Sequence, residues 1–102
     1  MVWVSNHSPS TITVSITAKT GGSASNYTIH PAIALGPGGE PVTSPGSPES
    51  WGSNHWSRSG DETLHATYLL SGKEVKFDIH KDDHVTFYTD AYEVYTSKTV
   101  SI

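Results

Sequence analysis

Large aromatic rings and hydrogen-bonding side chains lie close together in one polar stretch of the chain, residues 50–62. We predict that this stretch is a loop between two strands. An indole in such surroundings exposes apolar surface to water, which is unfavourable unless a core or a ligand covers it. An exposed tryptophan can stack on a sugar ring, while polar neighbours supply directional hydrogen bonds to hydroxyls. The residues that this chemistry would use are Trp51, Asn54, His55, Trp56, Arg58 and Asp61.

A structural interpretation fits the same stretch. Trp56, Arg58, Gly60 and Glu62 fall at every second position, so an extended segment would turn them to one side. Trp56 would then pack on the edge of the fold, Arg58 would pair with Glu62, and Gly60 would allow a bulge. Trp51 has weaker strand context, because it directly follows a Pro-rich segment. Both interpretations stay open at this point.

Length and composition narrow the classes of protein. The 102 residues predict one domain, 1–102, with a modest core. The absence of cysteine excludes disulfides, thiol catalysis and Cys-ligated zinc. A net charge of −4 with six Lys and Arg argues against nucleic acid and anionic membranes as partners. Without a signal-peptide pattern or a long apolar run, we expect a cytoplasmic protein or one secreted by an unconventional route.

Alternating polar and apolar residues predict β-strands along most of the chain. The alternation is most regular in residues 11–18 and 73–80. Shorter runs lie at 2–5, 26–30, 62–70, 84–89, 92–95 and 99–102. About seven or eight short strands predict an all-β antiparallel sandwich, because one face of each strand must be buried against a second sheet.

Turn residues separate these runs. Ser71-Gly72 predicts a tight hairpin, and Lys81-Asp82-Asp83 predicts a second one. Residues Gly36 to Ser50 are too rich in Pro, Gly and Ser to pair in a sheet and predict one long loop. Long loops in small domains are often functional, although a tolerated insertion fits equally well.

Two imidazoles and two carboxylates surround one predicted turn, in His80, Asp82, Asp83 and His84. They are close enough in sequence to share a divalent ion, but their spacing matches no known metal site. We therefore interpret them as strand ends beside a polar turn, and expect no metal or other cofactor. No nucleophile elbow, phosphate-binding loop or zinc-protease motif is present, so we expect that the protein is not an enzyme.

Tyrosines are concentrated late in the chain, at Tyr88, Tyr92 and Tyr95, with Tyr68 earlier. On an outer sheet face they would mark an interface; equally, they would cap the sandwich with their hydroxyls in water. If that face binds another protein, a two-fold homodimer is the default assembly.

Four short motifs carry a resemblance over about the N-terminal two-thirds of the chain. They are residues 2–8, residues 11–14, Pro37-Gly38-Gly39 and residues 56–62. Together they resemble small, cysteine-free β-sandwich proteins of fungi, especially of mushroom fruiting bodies. The resemblance implies a lectin, a cytolysin or an immunomodulatory defence protein, and favours a binding protein over an enzyme.

Three hypotheses follow for function. The leading one is a lectin-like protein that binds glycans or glycoproteins through the aromatic and polar stretch. The second is a membrane-active or immunomodulatory defence protein that uses exposed aromatics, including Trp3. The third is a structural, self-assembling protein in which the stretch only packs.

Overall fold

The computed structural model describes residues 1–31 and 49–96, with the backbone alone described at 49–51. Within these residues the fold is all-β, which confirms the predicted class. Its strands are β1 (Val2–Asn6), β2 (Ile12–Ile16), β3 (Tyr27–His30), β4 (Glu49–Trp51), β5 (Ser53–Trp56), β6 (Glu62–Tyr68), β7 (Glu74–Ile79), β8 (Asp83–Phe87) and β9 (Tyr92–Thr96). In the same part of the chain, no helix is long and apolar enough to cross a bilayer.

The strands form two sheets. One has four strands in the order β5-β1-β8-β9, and the other has five in the order β4-β3-β2-β6-β7. Most neighbours are antiparallel, as predicted, but β1 pairs with β8 and β3 with β4 in parallel. Parallel neighbours come from distant parts of the chain, so local sequence patterns do not reveal them.

The core fills the space between the sheets. It consists of inward-facing residues at alternate strand positions: Val2, Val4, Ile12, Val14, Ile16, Ile29, Trp56, Leu64, Ala66, Tyr68, Ile79, Val85 and Phe87. Successive side chains of a strand point to opposite faces, so burial of this set also determines which residues face water.

The two predicted hairpins have different outcomes. Ser71-Gly72 does connect antiparallel neighbours β6 and β7, with a hydrogen bond of 2.8 Å from the Tyr68 N–H to the Lys73 carbonyl. The prediction of a hairpin at Lys81-Asp82-Asp83 is wrong, because β7 and β8 lie in different sheets. Their apolar faces meet across the core rather than side by side in one sheet, so the turn carries the chain between the layers.

The prediction of a loop at residues 50–62 is also wrong in its first half. Residues 49–51 and 53–56 form β4 and β5, which pair with β3 and β1. Gly52 connects them with a φ of 84°. Its N–H donates to the His30 carbonyl at 3.0 Å, and its carbonyl accepts from the Asn6 N–H at 2.7 Å. Gly52 therefore joins the two sheets.

The last two residues of the predicted long loop, Gly36 to Ser50, belong to β4. Its remainder, residues 36–48, lies outside the described residues, as does the strand predicted at 99–102.

A buried asparagine stabilises the crossover from β1 to β2. The Asn6 amide donates to the carbonyls of Ser10 and Ile29 at 2.8 and 2.9 Å. Its side-chain oxygen accepts from the N–H and hydroxyl of Ser8 at 3.0 and 2.7 Å. A fully satisfied amide is tolerated in a core, because each lost hydrogen bond to water is replaced.

Candidate functional site

Two of the six predicted ligand-binding residues lie in the interior. Trp56 is 7% exposed and belongs to the core, where its ring meets Tyr27 edge-to-face at 5.8 Å between centroids. Arg58 is 5% exposed. A ligand cannot reach either side chain without displacing the packing around it, so we correct the ligand-binding role predicted for both. The structural interpretation of their spacing describes them instead.

Arg58 holds two chain segments together through backbone carbonyls. Its guanidinium donates to the carbonyls of Thr17 (2.8 Å), Ile16 (3.0 Å), Ser23 (2.7 Å) and Ser57 (2.9 Å). These bonds join the segment after β5 to the connection between β2 and β3. Burial of a guanidinium is compensated only where most of its donors are satisfied, as here.

Glu62 completes this group, which we call the Arg58–Glu62 cluster. Its carboxylate lies 3.9 Å from Arg58 Nε, with both side chains buried. It accepts hydrogen bonds from the Thr17 hydroxyl, from the Thr20 hydroxyl and N–H at 2.6 Å each, and from the Lys19 N–H at 3.1 Å. Burial raises the pKa of Glu62, but these hydrogen bonds outweigh it and lower the pKa to about 2. The predicted pairing of Arg58 with Glu62 is confirmed.

Close approach of backbone to Arg58 requires glycine at position 22. Gly22 has a φ of 75°, and a Cβ there would lie 2.1 Å from Arg58 Nη1. Gly60 has a related role: a Cβ there would lie 2.9 Å from Thr20 Cγ2, so it makes room for a side chain of the cluster.

We predict that Gly22→Ala destabilises the protein more than Gly72→Ala. Both glycines have a left-handed φ, 75° and 73°, and nothing lies within 4 Å of a Cβ at Gly72. The control should lose about 1–2 kcal/mol from backbone strain alone. Gly22→Ala should lose a further ~1–3 kcal/mol, because displacing Arg58 leaves buried carbonyls unpaired. Urea unfolding measures both, and equal losses would contradict the structural role of Arg58.

We also predict that Glu62 contributes to acid unfolding. Its pKa in the fold is lowered from 4.5 to about 2, so its stabilisation is fully present above pH 4.5 and is lost as the pH falls toward 2. The free energy of unfolding lost in Glu62→Gln should therefore shrink between pH 5 and pH 2. The exposed Glu93→Gln serves as control, and its effect should stay small throughout. A Glu62→Gln loss that is unchanged at pH 2 would refute this account.

Asp61 lies on a different part of the surface. Its carboxylate contacts His80 Nδ1 at 2.6 Å, and both side chains are well exposed. They line a polar hollow of about 200 Å³ together with Lys19, Glu62, Thr63 and Asp78. The side-chain hydrogen bond and charge of Asp61 raise the pKa of His80. Asp61 and His55, predicted to act together, are not neighbours in this hollow.

The two imidazoles considered for metal binding lie in different surroundings. His80 contacts Asp61, its backbone N–H donates to Asp83 Oδ2 at 2.8 Å, and His84 lies on the outer face of β8. Among the side chains that the structure describes, in residues 1–31 and 52–96, no three His, Asp or Glu residues are grouped to hold a metal ion.

We predict that Asp61→Asn lowers the pKa of His80 toward 6.5, its ordinary value. Because the pKa is raised in the fold, the stabilisation is full below pH 6.5 and disappears as the pH rises through the His80 pKa. The imidazole proton shifts in an NMR pH titration report this pKa directly. An unchanged His80 titration in Asp61→Asn would show that the contact does not form in solution.

The remaining predicted residues belong to β4 and β5. The Asn54 side chain is half-buried and donates to the His55 carbonyl at 3.2 Å. The backbone of Trp51 pairs with His30, and its side chain lies outside the described part. His55 is exposed on the outer face of the four-stranded sheet. Among the predicted residues whose side chains the structure describes, His55 alone lies beside other exposed aromatic rings.

Four ring-bearing residues form a line across that outer face, one on each strand. The strand registers place Trp3 opposite both His55 and His84, and His84 opposite Tyr95. We call this line the ring row: His55, Trp3, His84 and Tyr95. Trp3 is 38% exposed and Tyr95 66%, and the Trp3 and His55 ring centroids lie 4.7 Å apart.

A line of polar residues runs beside the ring row, two positions away from it on each strand. The same registers align Ser5 with Ser53 and Thr86, and Thr86 with Glu93. Residues two apart in a strand share a face, so these side chains border the rings. We call this second line the hydroxyl row: Ser53, Ser5 and Thr86 carry the hydroxyls, and Glu93 ends the row with a carboxylate.

The tyrosines that are concentrated late in the sequence lie on different surfaces of the fold. Tyr68 is 6% exposed, and its hydroxyl donates to the Tyr88 carbonyl. Tyr92 stacks on Phe77, with ring centroids 4.1 Å apart and planes at 8°. Tyr95 alone among them joins the ring row, because Tyr92 and Val94 lie on the opposite face of β9.

Sequence reasoning did not place Trp3, His84 and Tyr95 together on one surface. Trp3 faces away from the buried Val2 and Val4, as the alternation of a strand requires. Alternation does not predict the parallel pairing of β1 with β8, which brings residues 3 and 84 together.

Comparison of the chain with protein-family models, with curated proteins and with solved structures gave no match. The resemblance to fungal proteins therefore stays a prediction. Two of the motifs that carry this resemblance contain Asn6 and the Arg58–Glu62 cluster. These residues form buried hydrogen-bond networks that stabilise the fold.

Proposed function

We propose that the protein binds carbohydrate through the outer face of its four-stranded sheet. The observation that carries this proposal is the ring row, an indole and a phenol aligned with two imidazoles on adjacent strands. The ligand class is the one predicted from the sequence. The surface is different, since the ring row replaces the stretch at residues 51–61, and His55 belongs to both.

Trp3 is the central stacking residue of the proposed site. It has imidazoles on both neighbouring strands, and its contact with His55, tilted by 46°, restricts the orientation of the indole. A ring already held in place loses little conformational freedom when a sugar covers it. Its exposed apolar surface is then removed from water, which favours binding.

Polar groups around Trp3 match the hydroxyls of a sugar. An imidazole offers one nitrogen as donor and one as acceptor, and Ser and Thr hydroxyls offer both roles. Ser5 and Thr86 lie on the strands β1 and β8 at the centre of the face. Such groups give direction and specificity to a ligand that the ring holds by stacking.

The charge of the surface favours a neutral ligand. Glu93 is the only carboxylate in the ring and hydroxyl rows, and it lies at the β9 end. The net charge of −4 disfavours sulfated or other anionic glycans. Neutral glycans need no charge attraction, so the composition does not oppose them.

One observation favours membrane activity as a second candidate. Leu69 and Leu70, in the turn between β6 and β7, are 56% and 80% exposed. Adjacent exposed leucines at a turn could enter the interface of a neutral bilayer. Leakage from phosphatidylcholine vesicles that depends on Leu70, and not on Trp3, would favour this candidate over the glycan site.

We predict that Trp3→Ala weakens glycan binding roughly tenfold or more, because one stacking contact is worth about 1.5 kcal/mol. Tyr88→Ala is the matched control, since Tyr88 is 40% exposed but lies outside both rows. A glycan array would identify ligands, and calorimetry would measure affinity for folded variants. Absence of any glycan ligand, or equal losses in both variants, would refute the proposal.

A further inference from the structure

The ring row runs across the strands rather than along them. Each of its residues is the direct partner of the next, from β5 through β1 and β8 to β9. Neighbouring strands lie about 4.8 Å apart, so the row spans roughly 14 Å, and Trp3 lies about 10 Å from Tyr95 at the level of the backbone. A ligand that contacts the whole row must itself be long.

Trp3 and Tyr95 are exposed on this sheet face, unlike the residues of sites that enclose compact ligands. Concave pockets are needed to bury most of a small molecule. Hollows of about 470 and 380 Å³ exist in the structure, but other residues line them, including Leu70 in the first and Tyr92 in the second. A single sugar on the ring row would cover Trp3 and leave Tyr95 bare.

From this geometry we infer, on the basis of the proposed function, that the ligand is an extended, neutral, β-linked glycan lying along the ring row. One pyranose unit in such a chain is about as long as one strand spacing. Successive units would therefore meet successive strands, and the row accommodates three to four units. The hydroxyl row would follow the same chain along one of its edges.

The positions of the two largest rings fit a chain of this kind. Trp3 and Tyr95 are separated by one strand, β8, which presents His84 between them. In an extended β-1,4-linked chain, alternate units turn the same face to one side. The rings therefore stack on units one and three, while His84 bonds to the hydroxyls of the unit between them.

A length series tests this inference. We would titrate the protein with cello- and chito-oligosaccharides of one to six units and measure affinity by calorimetry, with laminari-oligosaccharides, whose β-1,3-linked chains are helical, as the control. In the cello or chito series, affinity should rise about tenfold or more between one and three units, as the second ring is engaged, and level off by four or five. A rise confined to the laminari series would overturn the inference.

Two substitutions at one position separate stacking from hydroxyl effects. Tyr95→Ala should remove the gain in affinity between two and three units. Tyr95→Phe keeps the ring and should keep the gain. Tyr95 is 66% exposed on a sheet face, so both variants should fold, which circular dichroism would verify.

The outcomes distinguish the inference from the proposed function. Trp3-dependent binding without length dependence, or only to compact, branched or charged glycans, would overturn the inference and leave the proposed function in place. A length dependence that Tyr95→Ala does not reduce would also overturn it. Binding of no glycan, or binding that Trp3→Ala does not weaken, would overturn both.

Discussion

Strict alternation along β1 is the constraint on which the proposed surface depends. Val2 and Val4 are fully buried, so Trp3 between them must face water. Both edges of β1 are paired, and the registers with β5 and β8 leave no freedom in which residues adjoin Trp3. Burial of the apolar residues determines which side of each strand faces the core. The four rings of the ring row therefore lie together on the outer face. A slip of β1 by one residue would turn Trp3 toward the core and Val2 and Val4 toward solvent.

The most conspicuous residues of the sequence stabilise the fold. Trp56 fills the core beneath β5, and the Arg58–Glu62 cluster attaches the segment after β5 to the connection between β2 and β3. Charged and amide side chains in short motifs are often interpreted as functional residues. Here they satisfy one another and the backbone, which makes their burial tolerable. The proposed binding surface instead uses residues that occur singly in ordinary strands.

Local patterns predicted much of the fold and little of the site. The regular alternation around Ile12–Ile16 and Glu74–Ile79 predicted strands that the structure confirms. The polar strands β4 and β5 were missed because edge strands can carry polar residues on their outer face. The pairing of β1 with β8 joins residues 3 and 84, and no local pattern encodes it. Hence His55 was predicted, whereas its neighbours in space were not.

The most direct test follows the tryptophan indole N–H signals of ¹⁵N-labelled protein by NMR during titration with cellotetraose or chitotetraose. The account predicts that the Trp3 signal shifts in a saturable manner, together with backbone amides of His84 and Tyr95, while Trp56 stays unchanged. A saturable shift at Trp51 with Trp3 unmoved would return the site to the stretch first indicated by the sequence. That result would contradict a binding surface on the four-stranded sheet.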